Sequence, residues 1–199
     1  MRIRTILAAA TVPAALAASL LGVTAASAAA NTNANPGNGA VTVTTQAQAD
    51  SLMAQGTINK NVDVPQGADV QLRWVDIKGN LSVEGKLSLA SSQIEGNATV
   101  SGPGAGLSLF NDPGNHFWRN LTVNNAGGYN DSSSINTGLG TYSNGQQIDG
   151  SLTFTNNTGS RLSYNADPGS MTVHGSFTYS GNALPYAGGL TIHGQQNIS

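Results

Sequence analysis

The sequence predicts an all-β fold: a small single-stranded parallel β-helix, right-handed, with a short capping helix at its N-terminal end. Three observations predict it. The first is a seven-residue pattern of apolar, any, Gly, Asn or Ser, apolar, Ser or Thr, apolar, which returns along the chain. It reads Ile77-Lys78-Gly79-Asn80-Leu81-Ser82-Val83 and Ile94-Glu95-Gly96-Asn97-Ala98-Thr99-Val100, then Ile148-Asp149-Gly150-Ser151-Leu152-Thr153-Phe154 and Val173-His174-Gly175-Ser176-Phe177-Thr178-Tyr179. Ile58 to Val64 and Phe117 to Val123 are copies that lack the glycine. A strand-forming motif that returns every 17–30 residues or so marks a stacked repeat, in which each coil buries its apolar side against its neighbours. The second observation is punctuation by turn formers between copies, as in Pro65-Gln66-Gly67, Gly102-Pro103-Gly104, Asp112-Pro113-Gly114 and Asp167-Pro168-Gly169. The third is composition. Charged residues make up 9% of the chain and cysteine is absent, so backbone ladders and a continuous apolar stack must hold the fold rather than disulfides. Right-handedness follows from the strong preference of parallel crossovers for that hand, about 98%.

In chain order, residues 1–28 have the design of a secretory signal. Arg2 and Arg4 precede an Ala/Leu-rich stretch from Ile6 to Val23, and Ala26-Ser27-Ala28 supplies small residues for cleavage, with Ala28-Ala29-Ala30 as a second site. Residues 29–39 are rich in Asn, Gly and Pro and read as a flexible linker. Residues 40–57 form the N-terminal cap. Ala40 to Thr44 is a short strand; Thr45 can N-cap a helix that Gly56 ends, with Ala49, Leu52 and Met53 on its apolar face. Such a helix protects the open end of a solenoid. Residues 58–199 are the β-solenoid. Each motif copy is followed by a second short strand: Ala68 to Leu72, Lys86 to Leu89, Gly106 to Leu109, Arg161 to Tyr164 and Gly189 to Ile192. That alternation predicts two faces per coil. The stretch from Asn124 to Gln147, with Ile135, Leu139 and Tyr142 as its inward candidates, reads as an irregular coil with a long surface loop.

Cleavage after residue 28 removes two of the eight cations and none of the ten carboxylates, leaving a net charge of −4. An acidic chain is a poor match for nucleic acid, and no second apolar run is long enough to span a bilayer. The localisation expected is secreted and extracellular.

Candidate chemistry is sparse. The second motif position reads Asn59, Lys78, Glu95, Trp118, Asp149, His174, which places Lys78 beside Glu95 and Asp149 beside His174 if coils stack in register. Exposed pairs of this kind read as charge pairing. His174 and His193 share an apolar-His-Gly setting and would stack, but two imidazoles without a third ligand make no metal site. His116 reads as a loop residue covering Phe117 and Trp118. No cofactor or metal is expected.

The binding candidates are the outward Ser/Thr/Asn positions Asn97, Thr99, Asn120, Thr122, Ser151, Thr153, Ser176 and Thr178. A flat, regular, uncharged surface of hydroxyls and amides matches a periodic ligand, so the partner expected is cell-wall or extracellular polysaccharide. Two alternatives stand beside this non-catalytic, structural or glycan-binding role. One is an ice-binding-type flat face, for which Thr153-Phe154-Thr155 is the clean Thr-any-Thr unit. The other is a polysaccharide-active enzyme, which needs facing carboxylates and would gather Asp112, Asp131 and Arg119 in one crevice. Asn80, Asn97, Asn120, Asn130, Asn156 and Asn197 all start Asn-x-Ser/Thr triplets, and the repeat itself generates most of them, so they read as corner or ladder residues rather than glycan acceptors.

The Gly56-Thr57-Ile58-Asn59-Lys60-Asn61-Val62-Asp63-Val64-Pro65-Gln66-Gly67-Ala68 opening and the Gly-Asn repeats after it resemble secreted β-solenoid proteins of high-GC Gram-positive bacteria. The resemblance covers most of residues 56–102 and, more loosely, 148–199. It implies a fold and carries no established reaction or catalytic residue. A more distant likeness is to bactofilins, β-helices that polymerise end to end; this chain departs from them in its signal segment, irregular coils and helical cap. The last motif copy, Ile192 to Ser199, loses its central apolar residue. Its strand edge predicts self-association through the C-terminal coil, with the N-terminal helix blocking growth at the other end.

Overall fold

The structure is a computed structural model that describes residues 39–110, 114–127, 139–141, 145–158, 163–164, 171–183, 186 and 190–199. The expected signal segment, most of the linker and most of the 124–147 stretch lie outside the described residues.

The described chain is an all-β solenoid of about six turns with one short helix near its N-terminal end. Every strand pairs parallel to its equivalent in the next coil. Among the described residues, five coils carry three strands each, not two. The long sheet stacks eight of them, among them Asn61–Val64, Leu81–Val83, Ala98–Ser101, Leu121–Asn124, Leu152–Thr155 and Phe177–Ser180. An entry sheet stacks seven short strands, including Asp76–Ile77, Gln93–Ile94, His116–Phe117, Gln146–Ile148 and Met171–Val173. A third sheet holds Asp69–Arg73, Lys86–Ala90, Gly106–Phe110, Leu139–Thr141 and Ser163–Tyr164.

The extra face arises inside the motif itself. Its first apolar residue ends an entry strand, the Gly-Asn pair turns a corner, and the last three residues open a long-sheet strand. The glycine is required by close stacking: a Cβ on Gly175 would lie 2.5 Å from the carbonyl oxygen of Gly150. Gly175 N–H donates to that same oxygen at 2.9 Å, and Gly194 donates to Gly175 at 3.2 Å.

Coil lengths vary as the turns absorb insertions. Successive corner residues are spaced by 19, 17, 23, 31 and 25 residues. The register is kept throughout. Leu81, Ala98, Leu121, Leu152 and Phe177 form one buried column, and Val83, Val100, Val123, Phe154 and Tyr179 form the next. Leu139–Thr141, inside the irregular coil, supplies that coil's third-sheet strand, with Leu139 paired to Leu107. Thr191–Ile192 does not continue the third sheet as its spacing predicts. It pairs with Thr172 and Val173 as the entry strand of the last coil, because it sits directly before the His193-Gly194 corner.

The N-terminal helix spans Gln46–Met53. Thr45 caps it in a capping box with Gln48, and Ala49 and Leu52 are buried. It covers the exposed edge of the third sheet by imitating a strand. The Gln46 side-chain amide accepts from Gln71 N–H at 2.8 Å and donates to Gln71 C=O at 3.1 Å, while the Arg73 N–H points at Met53 Sδ, 3.2 Å away. Unpaired edges of this kind are otherwise templates for aggregation.

Candidate functional site

Two surfaces meet at the corner between the entry and long sheets. The first is the outer face of the long sheet. Strand alternation turns Thr99, Thr122, Thr153 and Thr178 outward, and their strands pair in register, so the four form one column. Two residues on, Ser101, Asn124, Thr155 and Ser180 form a second. Within a column the spacing is about 4.8 Å, and along a strand it is about 6.6 Å. The array carries no charge over these four coils. Toward the N-terminal end the same column continues as Ser82 and then Asp63.

The other four predicted binding residues lie one step away, at the corner. They form a ladder. Asn97 N–H donates to Asn80 Oδ1 at 2.9 Å, Asn120 N–H to Asn97 Oδ1 at 3.4 Å, Ser151 N–H to Asn120 Oδ1 at 2.8 Å and Ser176 N–H to Ser151 Oγ at 3.1 Å. These oxygens hold the turns together, so they flank the Thr face instead of belonging to it. The expected reading of the Asn-x-Ser/Thr asparagines as ladder members holds for Asn80, Asn97 and Asn120. A second ladder runs through the buried Asn157 and its neighbour Asn182. A third joins Ser92, Asn115 and Gln146, all buried. Such residues satisfy backbone groups that a turn would otherwise leave unpaired.

The second surface is a groove of about 550 Å³ lined by Asn97, Trp118, Arg119, Asn120, Asp149 and Gly150. It opens where the motif breaks its own rule. Arg119 occupies the position filled by glycine in the coils on either side, Gly96 and Gly150. The rung beside it, Asn120 to Asn97, is the longest of the ladder. Trp118 is 48% exposed at this opening. Its ring stacks on His116 with centroids 4.5 Å apart and planes 21° from parallel, and its Nε1 lies 3.4 Å from Gln93 Oε1. His116 Nε2 in turn is 2.9 Å from Asp149 Oδ2.

His116 is therefore a strand residue, not a loop residue, and its partner is both Trp118 and Asp149. The spacing predicts Asp149 beside His174, and the pairing of Ile148 with Val173 keeps the two positions in register, but the side-chain partner of Asp149 is another residue. The Asp149 carboxylate bonds back across the corner to His116, while His174 stacks on His193 with centroids 5.1 Å apart. Lys78 does meet Glu95, at 2.6 Å, and also Asp76 at 2.6 Å. The Lys78 ammonium is held above its usual pKa by its hydrogen bonds to Asp76 and Glu95. Among the described residues no group of three or more His, Asp or Glu is arranged to hold a metal ion. Of the trio Asp112, Asp131 and Arg119, Asp112 and Asp131 lie outside the described residues.

The sequence signal at the groove is the missing glycine in Phe117-Trp118-Arg119-Asn120, which the copy from Ile58 to Val64 shares at Lys60, so it does not by itself mark a groove. No family model, curated protein or solved structure matches this chain.

Proposed function

We propose that this chain is a secreted, non-catalytic protein that binds an extended polysaccharide, of the cell wall or the extracellular space, on the outer face of its long sheet. The observation that carries the reading is the in-register, uncharged array of Thr99, Thr122, Thr153 and Thr178 beside Ser101, Asn124, Thr155 and Ser180. Hydroxyls and amides donate and accept alike, and a fixed spacing lets each coil repeat the same contact with a periodic ligand. Many weak contacts on one rigid face add as multivalent binding does. The stacked coils hold the array in register, so binding needs little ordering of the backbone, which lowers the entropic cost of association.

The test is retention of the full secreted chain on insoluble polysaccharides: bacterial cell walls, cellulose, chitin and xylan. Retention on at least one matrix, lost in the double variant Thr122→Lys, Thr178→Lys, supports the reading. These two positions lie on non-adjacent strands, so the new charges do not sit directly opposite one another. No retention on any matrix, or retention indifferent to both substitutions, overturns it.

The same Thr column favours a second reading, binding to ice. Only Thr153 and Thr155 complete a Thr-any-Thr pair, and the second column otherwise holds Ser and Asn. Inhibition of ice recrystallisation by the wild-type chain, abolished by the same double variant, would move the assignment there.

A further inference from the structure

We propose that the groove at Trp118 is a distinct subsite that takes one neutral pyranose ring, stacked on the indole. The proposal rests on the glycan reading of the adjacent face and names the kind of sugar unit that face would present at its corner.

Four features point to it. The groove lies at a corner where Arg119 replaces the glycine of the neighbouring coils, Gly96 and Gly150, so it sits at a local departure from the repeat. Its wall is a half-exposed tryptophan that is already oriented, by the stack on His116 at 4.5 Å and by Gln93 at 3.4 Å from its indole nitrogen. A preset aromatic platform binds without first ordering a side chain. The C–H face of a pyranose is apolar and flat, and packs on such a platform while its hydroxyls stay at the rim.

The third feature is the mixture of polar groups at that rim. Arg119 offers donors only, the Asp149 carboxylate offers acceptors only, and the Asn120 side-chain amide offers its Nδ2–H donors, which have no partner among the described residues. A ring hydroxyl both donates and accepts, so it can satisfy either kind of neighbour. A uronate would gain Arg119 but meet Asp149, and an amino sugar cation the reverse. The fourth feature is position. Asn97 and Asn120 line the groove and also belong to the corner ladder that borders the Thr column, so a chain lying along the long sheet can place one residue at Trp118.

The chain has two tryptophans, and Trp74→Phe leaves Trp118 as the sole indole fluorophore. The full secreted chain with that substitution is titrated with soluble cellohexaose, xylohexaose, mannohexaose and chitohexaose, and with trigalacturonic acid as the charged comparison, at up to millimolar concentration. The expected result is a saturable change in Trp118 emission with at least one neutral oligomer. Calorimetry on the wild-type background should then show affinity reduced by about tenfold or more in Trp118→Ala, with Trp118→Phe recovering part of it. An unchanged thermal melt checks that the alanine variant is folded. No response to any neutral oligomer, a response to the uronate alone, or an affinity indifferent to Trp118→Ala overturns the proposal.

Failure here is separable from failure of the flat-face reading. Matrix retention that needs Thr122 and Thr178 but ignores Trp118 removes the subsite and keeps the face. Oligomer binding at Trp118, with matrix retention blind to both threonine substitutions, removes the face and keeps the subsite.

Discussion

The early coils, through Phe110, and the later coils, from Gly114, use one scaffold with two kinds of filling. Along one inward column the early residues are Val64, Val83 and Val100, and the later ones Val123, Phe154 and Tyr179. The early coils are short, with spacings of 19 and 17 residues, and five-residue third-sheet strands close their interior with Leu72, Leu87, Leu89, Leu107 and Leu109. The last third-sheet strand described, Ser163–Tyr164, has two residues. In the later coils larger side chains on the long sheet fill the interior. Phe154 stacks on Tyr179 at 5.3 Å, and Tyr186 packs on Phe177 and Tyr179 at 5.1 and 5.4 Å. The outside changes in parallel. Asp63, Asp76, Lys78, Glu84 and Glu95 are early, and the outward long-sheet columns from Thr99 onward are uncharged. A solenoid can thus alter core and surface coil by coil, because each coil answers only to its neighbours.

The comparison predicts unequal damage from equivalent truncations. Phe154→Ala should cost about 3–5 kcal/mol, since it removes a fully buried ring and leaves a cavity. Val83→Ala, at the same column in the early half, should cost about 1–3 kcal/mol, because only two methyl groups are lost, from a smaller site. Chemical denaturation of both variants checks the ordering, and equal losses would mean that the aromatic filling adds nothing. Gly175→Ala comes next, at about 1–3 kcal/mol from overpacking. Its Cβ has backbone at 2.5 Å and no flexible side chain to yield. That penalty belongs to the corner, so Gly79→Ala in the early half should match it. A substantially smaller loss there would show that the halves differ in their turns as well as in their cores.

The spacing of apolar residues made the stack, the helix and the register legible. It could not show the third face. Alternation from Ile77 to Val83 looks like one strand, because a corner taken at Gly79-Asn80 keeps the apolar residues inward on both sides of it. Leu139 reads as an inward residue but not as part of a strand: with glycine on both sides of a single leucine the segment has no pattern of its own, and pairing to Leu107 defines it. The Thr column was readable, since neighbouring motif copies predict it directly. The His116 to Asp149 contact was not, because it spans 33 residues and an irregular coil whose length leaves the register open. His174 was the nearer partner for Asp149 on paper, and His193 claims it.

A smaller effect separates the two ends of the stack. Gln46→Ala removes both hydrogen bonds to Gln71, and each exposed bond of this kind contributes about 1 kcal/mol or less. The loss in stability should accordingly stay near 1–2 kcal/mol. The sharper readout is association. With the Asp69–Arg73 edge uncovered, light scattering should show concentration-dependent oligomers absent from the wild type. A strictly unchanged molecular mass would mean that Met53 and the rest of the helix suffice to guard the edge.

The smallest effect comes from the one charge in the outward column that becomes the Thr array. Asp63 is flanked in register by Thr42 and Ser82. Partial burial raises its pKa above the ordinary 3.8, and the nearby Glu84 carboxylate raises it further. A raised carboxyl pKa means that the folded chain holds the proton more tightly than the unfolded one. The associated stability is therefore fully present below pH 3.8 and is lost as pH rises through the folded-state value. At neutral pH the ionised Asp63 is a modest liability that the coils after it, with Ser82, Thr99, Thr122, Thr153 and Thr178 at this position, do not carry. Asp63→Asn should therefore raise the melting temperature at pH 7, and the gain should fade as the pH is lowered toward the ordinary carboxylate range. A gain that persists unchanged in acid would assign the effect to packing against Thr42 and Ser82 instead of charge, and no gain at any pH would mean that water reaches Asp63 as freely as it reaches the threonines above it.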